Sequence, residues 1–239
     1  MLPRSLHLMM QRLGFDVLPY DADRFPELRR PTLLRERQIN LVLDVGANDG
    51  SWAARVRRSG YTGRLVSFEP MAAAYRELAS RARLDEGWET SQVALGDTTG
   101  TATFHVAGNS SSSSLLPMTG RHIASAPESA YVATEEVKVR RLDDVASDRI
   151  RPGDRVLLKI DVQGFELPVL RGAERTLEDV EVIETELSLV ELYEGQELIG
   201  DVIGYLADHG FGVRFLEPIF SDPASGELLQ VDGVFTRPR

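Results

Sequence analysis

Residues 41–52 read LVLDVGANDGSW. Four of the first five are aliphatic, as expected of a strand buried on both faces. Asp44 stands near its end, then come Gly46, Asn48 and Gly50, and Ser51 opens a helix-like run over 50–59. This is the pattern of a strand, a glycine turn and a helix N-terminus. Glycine lets the main chain turn sharply and lets a ligand approach it closely. The free N–H groups of a helix start suit an anionic or strongly polar group. Asp44, Gly46, Asn48, Gly50 and Ser51 are therefore candidate cofactor-binding residues. The spacing Gly46-x-x-x-Gly50 departs from the GxGxxG of dinucleotide sites.

Working outward, the run RLVSFEP over 64–70 closes a second strand on Glu69, 23 residues past Gly46. An acid at the end of the second strand of a doubly wound sheet lies beside the first glycine turn and can accept from both ribose hydroxyls. A third strand over 88–95 ends in Leu95-Gly96-Asp97. Gly96 and Asp97 become candidates there, with Asp97 able to accept from an adenine amino group.

Further strands are expected at 101–106, 134–141, 155–161, 180–187, 211–217 and 228–236. Helices are expected at 71–83, 164–178 and 197–209. Strands alternating with helices argue for a parallel sheet covered on both faces. The last two strands are joined only by a turn at Ser221–Gly226 and should form an antiparallel hairpin. Residues 2–13 show an amphipathic stripe of Leu2, Leu6, Met9, Met10 and Leu13, and 14–38 reads as irregular around Pro19, Pro26 and Pro31. The expected organisation is an amino-terminal cap over 1–38 and one large domain over 39–239.

The chain has 239 residues, 42% hydrophobic and 27% charged, with a formal charge of −10. Such acidity argues against nucleic acid as a partner, since that binding runs on Lys and Arg against phosphate. With no cysteine, there is no disulfide scaffold, thiolate metal site or Cys nucleophile. No run approaches the roughly 18 apolar residues of a membrane span, and the opening MLPRSLHLMM lacks a signal-peptide core, so a cytoplasmic location is expected. Residues 161–201 alone carry twelve acids and two arginines, which leaves open a carboxylate-lined cleft for a metal, a proton or polyol hydroxyls.

The order of these signals, together with VLLKIDVQGFELPVLRGA (156–173), LGD (95–97), SSSSSL (110–115), ELSLVELYEGQ (186–196) and VDGVF (231–235), resembles the FkbM family of S-adenosylmethionine-dependent O-methyltransferases. The resemblance spans about residues 41–236. It implies an α/β class I methyltransferase fold of Rossmann-like type, with a seven-stranded, mostly parallel sheet, an antiparallel carboxyl-terminal hairpin and here a short amino-terminal helical cap. It implies S-adenosylmethionine as donor. The acceptor would be a hydroxyl of a small molecule or glycan: a sugar in a glycolipid or polysaccharide, or a glycosylated natural product. It also suggests that Ser110–Ser114 forms a lid whose hydroxyls meet donor or acceptor.

Read on its own, strand 156–160 is an apolar run broken only by Lys159. Asp161 follows at its carboxyl end, where open α/β sheets place their ligands. It would bind the donor's ammonium, hold a metal such as Mg2+, or take the acceptor's proton; the sequence does not separate these. Lys159 and Asp161 leave the same face of an extended segment, as do Glu184 and Glu186. Glu186, nearer the carboxyl end, is the better cleft candidate. Among four histidines, His122 in the long loop 107–133 is the candidate base, ahead of His105. The candidate catalytic set is Asp161, Glu186 and His122. The amino-terminal stripe is expected to cap the fold, with pairing of two copies as a homodimer or resting on a membrane surface as the alternatives. Competing readings are an NAD-dependent oxidoreductase and an S-adenosylmethionine-binding domain without activity.

Overall fold

The computed structural model describes residues 9–10, 13 and 28–238. The chain divides after Glu36 into two compact units. In the first, helix α1 (Arg29–Glu36) carries Pro31 in its opening turn, where the missing N–H has no intrahelical acceptor to lose. This helix falls in a stretch read from sequence as irregular. The helix expected over 2–13, and with it the cap, lies largely outside the described residues.

The second unit is built on a seven-stranded sheet in the order β3-β2-β1-β7-β8-β10-β9. The strands are β1 (Leu41–Val45), β2 (Arg64–Phe68), β3 (Trp88–Ser91), β7 (Val156–Ile160), β8 (Val180–Ser188), β9 (Gly212–Ser221) and β10 (Leu228–Thr236). β1, β2, β3, β7 and β8 pair in parallel. β10 runs antiparallel to both of its neighbours, β8 and β9. This is the doubly wound, mostly parallel sheet with a reversed carboxyl-terminal hairpin that the sequence implied. Every residue of β1 and β7 is buried, which is why both read as near-continuous apolar runs.

Helices α2 (Ser51–Arg58), α3 (Ala72–Ala82), α6 (Glu166–Arg171) and α7 (Ile199–Asp208) connect these strands. Leu41, Leu43, Val45, Leu158, Ile160 and Phe68 belong to one large apolar cluster. The opposite face of the same strands is different. Register puts Ser67, Asp44, Lys159 and Glu184 side by side across β2, β1, β7 and β8. All four are buried, so a polar row crosses the middle of the sheet.

A second, three-stranded sheet, β4-β6-β5, consists of β4 (Ala94–Leu95), β5 (Gly100–Ala107) and β6 (Tyr131–Arg140). Phe104, Val137, Val139 and Ala94 pack with Met71 and Ala74 beneath it.

Four boundaries differ from the sequence reading. The strand expected over 88–95 is two strands in different sheets, broken at Gln92–Val93. The loop expected over 107–133 contains α4 (Gly120–Ser125), and β6 already begins at Tyr131. A short helix, α5 (Leu142–Ala146), follows β6 unannounced. The helix expected over 164–178 stops at Arg171 and resumes as a 3-10 turn at Thr176–Asp179. The helix ends beside a close contact: a Cβ on Gly172 would collide with the carbonyl oxygen of Gly96, so the segment between β4 and β5 and the end of α6 meet there backbone to backbone.

Candidate active site

The glycine turn after β1 alternates in hand. Gly46, Asn48 and Gly50 have φ of 74°, 48° and 82°, a region open to glycine and tolerated by asparagine. A Cβ at Gly46 would overlap the carbonyl oxygen of Asp161, and one at Gly50 would meet Leu78 and the Trp88 ring. The Gly46 and Ala47 N–H groups both donate to the Phe68 carbonyl at 3.0 Å, which draws the turn against the end of β2.

Glu69 stands at that end. One carboxylate oxygen accepts from the Asn48 N–H and the other from the Met71 N–H, both at 2.8 Å. Burial pushes its pKa up to about 7, against the lowering effect of those two bonds.

One step below lies the buried polar row. The Lys159 ammonium is 3.3 Å from Asp44 and 3.3 Å from Asp161. Burial would lower the Lys159 pKa, but the charges of Asp161, Asp44 and Glu184 outweigh it and the net shift is upward. Burial pushes Asp44 up, opposed by Lys159 and by Ser67, whose hydroxyl donates to it at 3.1 Å. The Trp52 indole N–H donates to Glu184 at 3.1 Å and the Trp88 indole N–H to Ser67 at 3.0 Å. Hydrogen bonds and the Lys159–Asp44 ion pair thus give the buried groups of the row partners, as buried charges require.

Two cavities open above this layer. The first is lined by Gly46, Asn48 and Glu69 and by the apolar Phe68, Val93, Leu95 and Phe104. The second is lined by His122, Glu128, Glu186, Gln230 and Phe220, among others. Asp161, Gln163 and Ser111 border both.

Gln163 is the residue at the junction. Its Nε2 donates at 2.9 Å to Asp161 and at 2.9 Å to Glu186. Its Oε1 accepts from the Tyr193 hydroxyl at 2.7 Å, and its backbone carbonyl accepts from the Ser114 hydroxyl at 2.7 Å. Its φ is 57°, a strained conformation for a residue with a Cβ and one that clusters at functional sites. Glu166 fixes the turn from behind, accepting from the N–H groups of Val162 and Gly164. Gln230 also donates to Glu186, at 2.8 Å. Burial, then the charges of Asp161, Glu166 and Asp232, raise the Glu186 pKa well above the usual carboxylate range.

His122 is 3% exposed and packs edge-on against Tyr193, with ring centroids 5.1 Å apart. Burial pushes its pKa down, against the nearby Glu128. Its Nδ1 has no hydrogen-bond partner among the described residues.

The three candidate catalytic residues, Asp161, Glu186 and His122, therefore line one cavity. Of the candidate cofactor residues, Gly46, Asn48, Glu69 and Asp161 line the other. Asp44, Gly50, Ser51, Gly96 and Asp97 do not line it. Asp44 is committed to Lys159 and Ser67. Ser51 exchanges bonds with Asp49 and Arg81. Gly96 is pressed between Gly172 and Phe165, so the wall at the end of β4 is made by Ala94 and Leu95, not by Gly96-Asp97.

His105 stacks on Tyr131 and lines neither cavity. The Ser-rich segment does meet the site. Ser110, Ser111 and Ser113 line the first cavity, and the Asn48 amide donates to Ser110 at 3.3 Å. Among the described residues, no group of three or more His, Cys, Asp or Glu is arranged to hold a metal ion. Gln163, Gln230 and Tyr193 are absent from the sequence-derived candidates.

Residues 44–213 match the family model described as the methyltransferase FkbM domain. The 2-O-methyltransferase NoeI of Sinorhizobium fredii (strain NBRC 101917 / NGR234) is 32% identical over 205 residues, 81% of this chain and 82% of that protein. Among solved structures, methyltransferase FkbM from Methylobacillus flagellatus KT is 15% identical with a TM-score of 0.48; the match covers 82% of this chain and 43% of that one. Magnesium protoporphyrin IX methyltransferase from Synechocystis PCC 6803, solved with bound SAM, matches 98% of this chain and 92% of its own at 11% identity and a TM-score of 0.48. The extent of the family match and the 32% relative together are decisive: the chain belongs to the FkbM methyltransferase family.

Proposed function

We propose that this methyltransferase uses S-adenosylmethionine to methylate a hydroxyl group, and that the hydroxyl belongs to a sugar. The observation that carries the reading is the pair of adjoining cavities with Asp161, Gln163 and Ser111 common to both. A two-substrate transfer needs two sites that touch, because alignment of the reacting atoms supplies much of the catalysis.

The residues of the first cavity suit such a donor. Glu69, fixed by two backbone N–H groups, retains lone pairs for the two hydroxyls of a ribose. Phe68, Val93, Leu95 and Phe104 offer apolar walls to an aromatic base. Asp161, whose side chain is 41% exposed and held from behind by Lys159, is an anion suited to an ammonium. When bound, the donor supplies an activated methyl group on a sulfonium.

What remains for the protein is to orient the acceptor hydroxyl and take its proton. Glu186 is suited to this. Burial and the neighbouring carboxylates raise its pKa, which makes it a stronger proton acceptor than an ordinary carboxylate, and Gln163 ties it to Asp161 where the cavities meet. His122, whose pKa burial lowers against the pull of Glu128, is the second group able to accept a proton. The sugar acceptor is supported by the name of the 32% identical relative, a 2-O-methyltransferase, and by the acceptor-rich lining of the second cavity. Calorimetric titration with S-adenosylmethionine and with NAD tests the donor, and a glycan screen with labelled methyl donor tests the acceptor. Binding of NAD in place of S-adenosylmethionine would overturn the reading.

A further inference from the structure

The second cavity has an uneven chemistry. Glu128, Asp161 and Glu186 line it, and no lysine or arginine does so among the described residues. The nearest arginine in sequence, Arg121, is exposed and paired with Glu227 at 2.6 Å. The carboxamide donors are spent inside the protein: Gln163 Nε2 on Asp161 and Glu186, Gln230 Nε2 on Glu186 and Ser188, Asn109 Nδ2 on Ser112. Carboxylate and carbonyl acceptors remain, beside the hydroxyls of Ser111 and Ser112, which donate as well as accept. A ligand that satisfies the carboxylates of this lining must bring hydrogen-bond donors. It must also bring no negative charge, because a further anion among partly desolvated carboxylates is strongly disfavoured.

A second observation points the same way. His122 lines the cavity, is 3% exposed, and its Nδ1 lacks a partner among the described residues. An unsatisfied buried polar atom of this kind calls for a group to pair with, and a hydroxyl can serve whichever tautomer the ring adopts. Phe220 beside it offers a flat apolar surface for the C–H face of a ring.

We infer that the second cavity selects an uncharged, polyhydroxylated ring and rejects its carboxylate-bearing counterpart, with Glu128 as the specificity-determining residue at the mouth. This rests on the reading of the protein as a sugar O-methyltransferase and narrows it to neutral sugars.

The test is a binding experiment on the full chain. A panel of neutral methyl hexopyranosides is titrated by saturation-transfer NMR, each beside its 6-carboxylate and its 2-amino counterpart, with and without S-adenosylhomocysteine. The expected result is that neutral glycosides bind and that the uronates bind at least about tenfold more weakly, as like charges brought together in a binding site require. Glu128→Gln, an exposed position where folding is not at stake, should narrow the neutral-to-uronate gap. Equal or tighter uronate binding overturns the inference. So does a gap that Glu128→Gln leaves unchanged. Amino sugars binding more than about tenfold tighter than neutral ones would make this a cation site instead. If S-adenosylhomocysteine binds and no neutral glycoside does, the inference fails and the donor reading stands. If S-adenosylhomocysteine fails to bind while neutral glycosides bind selectively, the donor reading fails and the charge selection stands.

Discussion

The α-carbon of Gly46 lies against the carbonyl oxygen of Asp161, so closely that no side chain fits between them. Two loops from different strands thereby touch through bare backbone, and the contact joins the donor-side turn to the carboxylate shared by both cavities. From the sequence alone Gly46 looks like a residue that makes room for a ligand. In the structure it makes room for another part of the protein. Gly46→Ala should therefore destabilise the fold itself. Left-handed strain at φ 74° and the displaced β7 turn together should cost at least about 2 kcal/mol. Chemical denaturation measures this, and an unchanged midpoint would contradict it.

Glu69→Ala should weaken S-adenosylmethionine by about 1.5–3 kcal/mol, the range for hydrogen bonds to a charged group. The wild-type affinity should also depend on pH. The carboxylate must be ionised to accept from two hydroxyls, and burial holds its pKa at about 7. Donor affinity should rise as pH increases through 7 and level off above it. Calorimetry between pH 5.5 and 8.5, roughly a window of 1.5 units around that pKa, would show this, and a flat profile would remove Glu69 from the ribose role.

The same group predicts a stability trend of opposite sense. A carboxyl with a folded pKa near 7 and an unfolded value near 4.5 holds its proton more tightly when folded. Its contribution is fully present below about pH 4.5 and is lost as pH rises towards 7. Glu166, also raised to about 7 by burial and by the charge of Asp161, against backbone bonds that lower it, acts in the same direction. Thermal melts of Glu166→Gln should fall less steeply between pH 5 and 7 than those of the wild type, roughly the interval over which such a carboxyl loses its proton.

Lys159→Met should be among the most damaging single changes in the sheet. It leaves Asp44, which is fully buried, without its cation, a loss of about 3–5 kcal/mol. Asp44→Asn added to Lys159→Met should recover part of that loss in urea unfolding. Strict additivity of the two substitutions would show that they do not interact.

Asp161→Asn should lower turnover by at least about 100-fold, measured by transfer of labelled methyl to the acceptor. Asn keeps a hydrogen bond to Gln163 but no longer offers an anion at the junction. Full turnover with unchanged donor affinity would assign Asp161 a structural role and leave Glu186 and His122 to the chemistry.

Much of this site is legible in the sequence because it sits at strand ends. Asp44-x-Gly46 and Glu69 each follow an apolar run, and Asp161 closes another, so a local pattern marks them. Gln163 carries no such mark. It is one polar residue in a turn, and its importance arises from Glu186 and Tyr193, 23 and 30 residues away. The break at Gln92–Val93 is equally silent, since neither glycine nor proline announces it and only pairing with β6 pulls Ala94 and Leu95 into the second sheet. Gly172 and Gly96 could each be read as turn glycines. That they need each other is a property of the folded chain.

The row Ser67–Asp44–Lys159–Glu184 also divides the protein's electrostatics in two. Charges on the outside of the protein are damped by salt at physiological strength within about 8 Å. The Lys159 ammonium, 6% exposed, sits where dissolved ions do not follow, and it acts on Asp161 from below at 3.3 Å. The Lys159 side of the junction is therefore insulated from the medium, while the Asp161 carboxylate, 41% exposed, still meets it. Raising the ionic strength should screen Asp161 from charged molecules in solution and leave its contact with Lys159 nearly untouched.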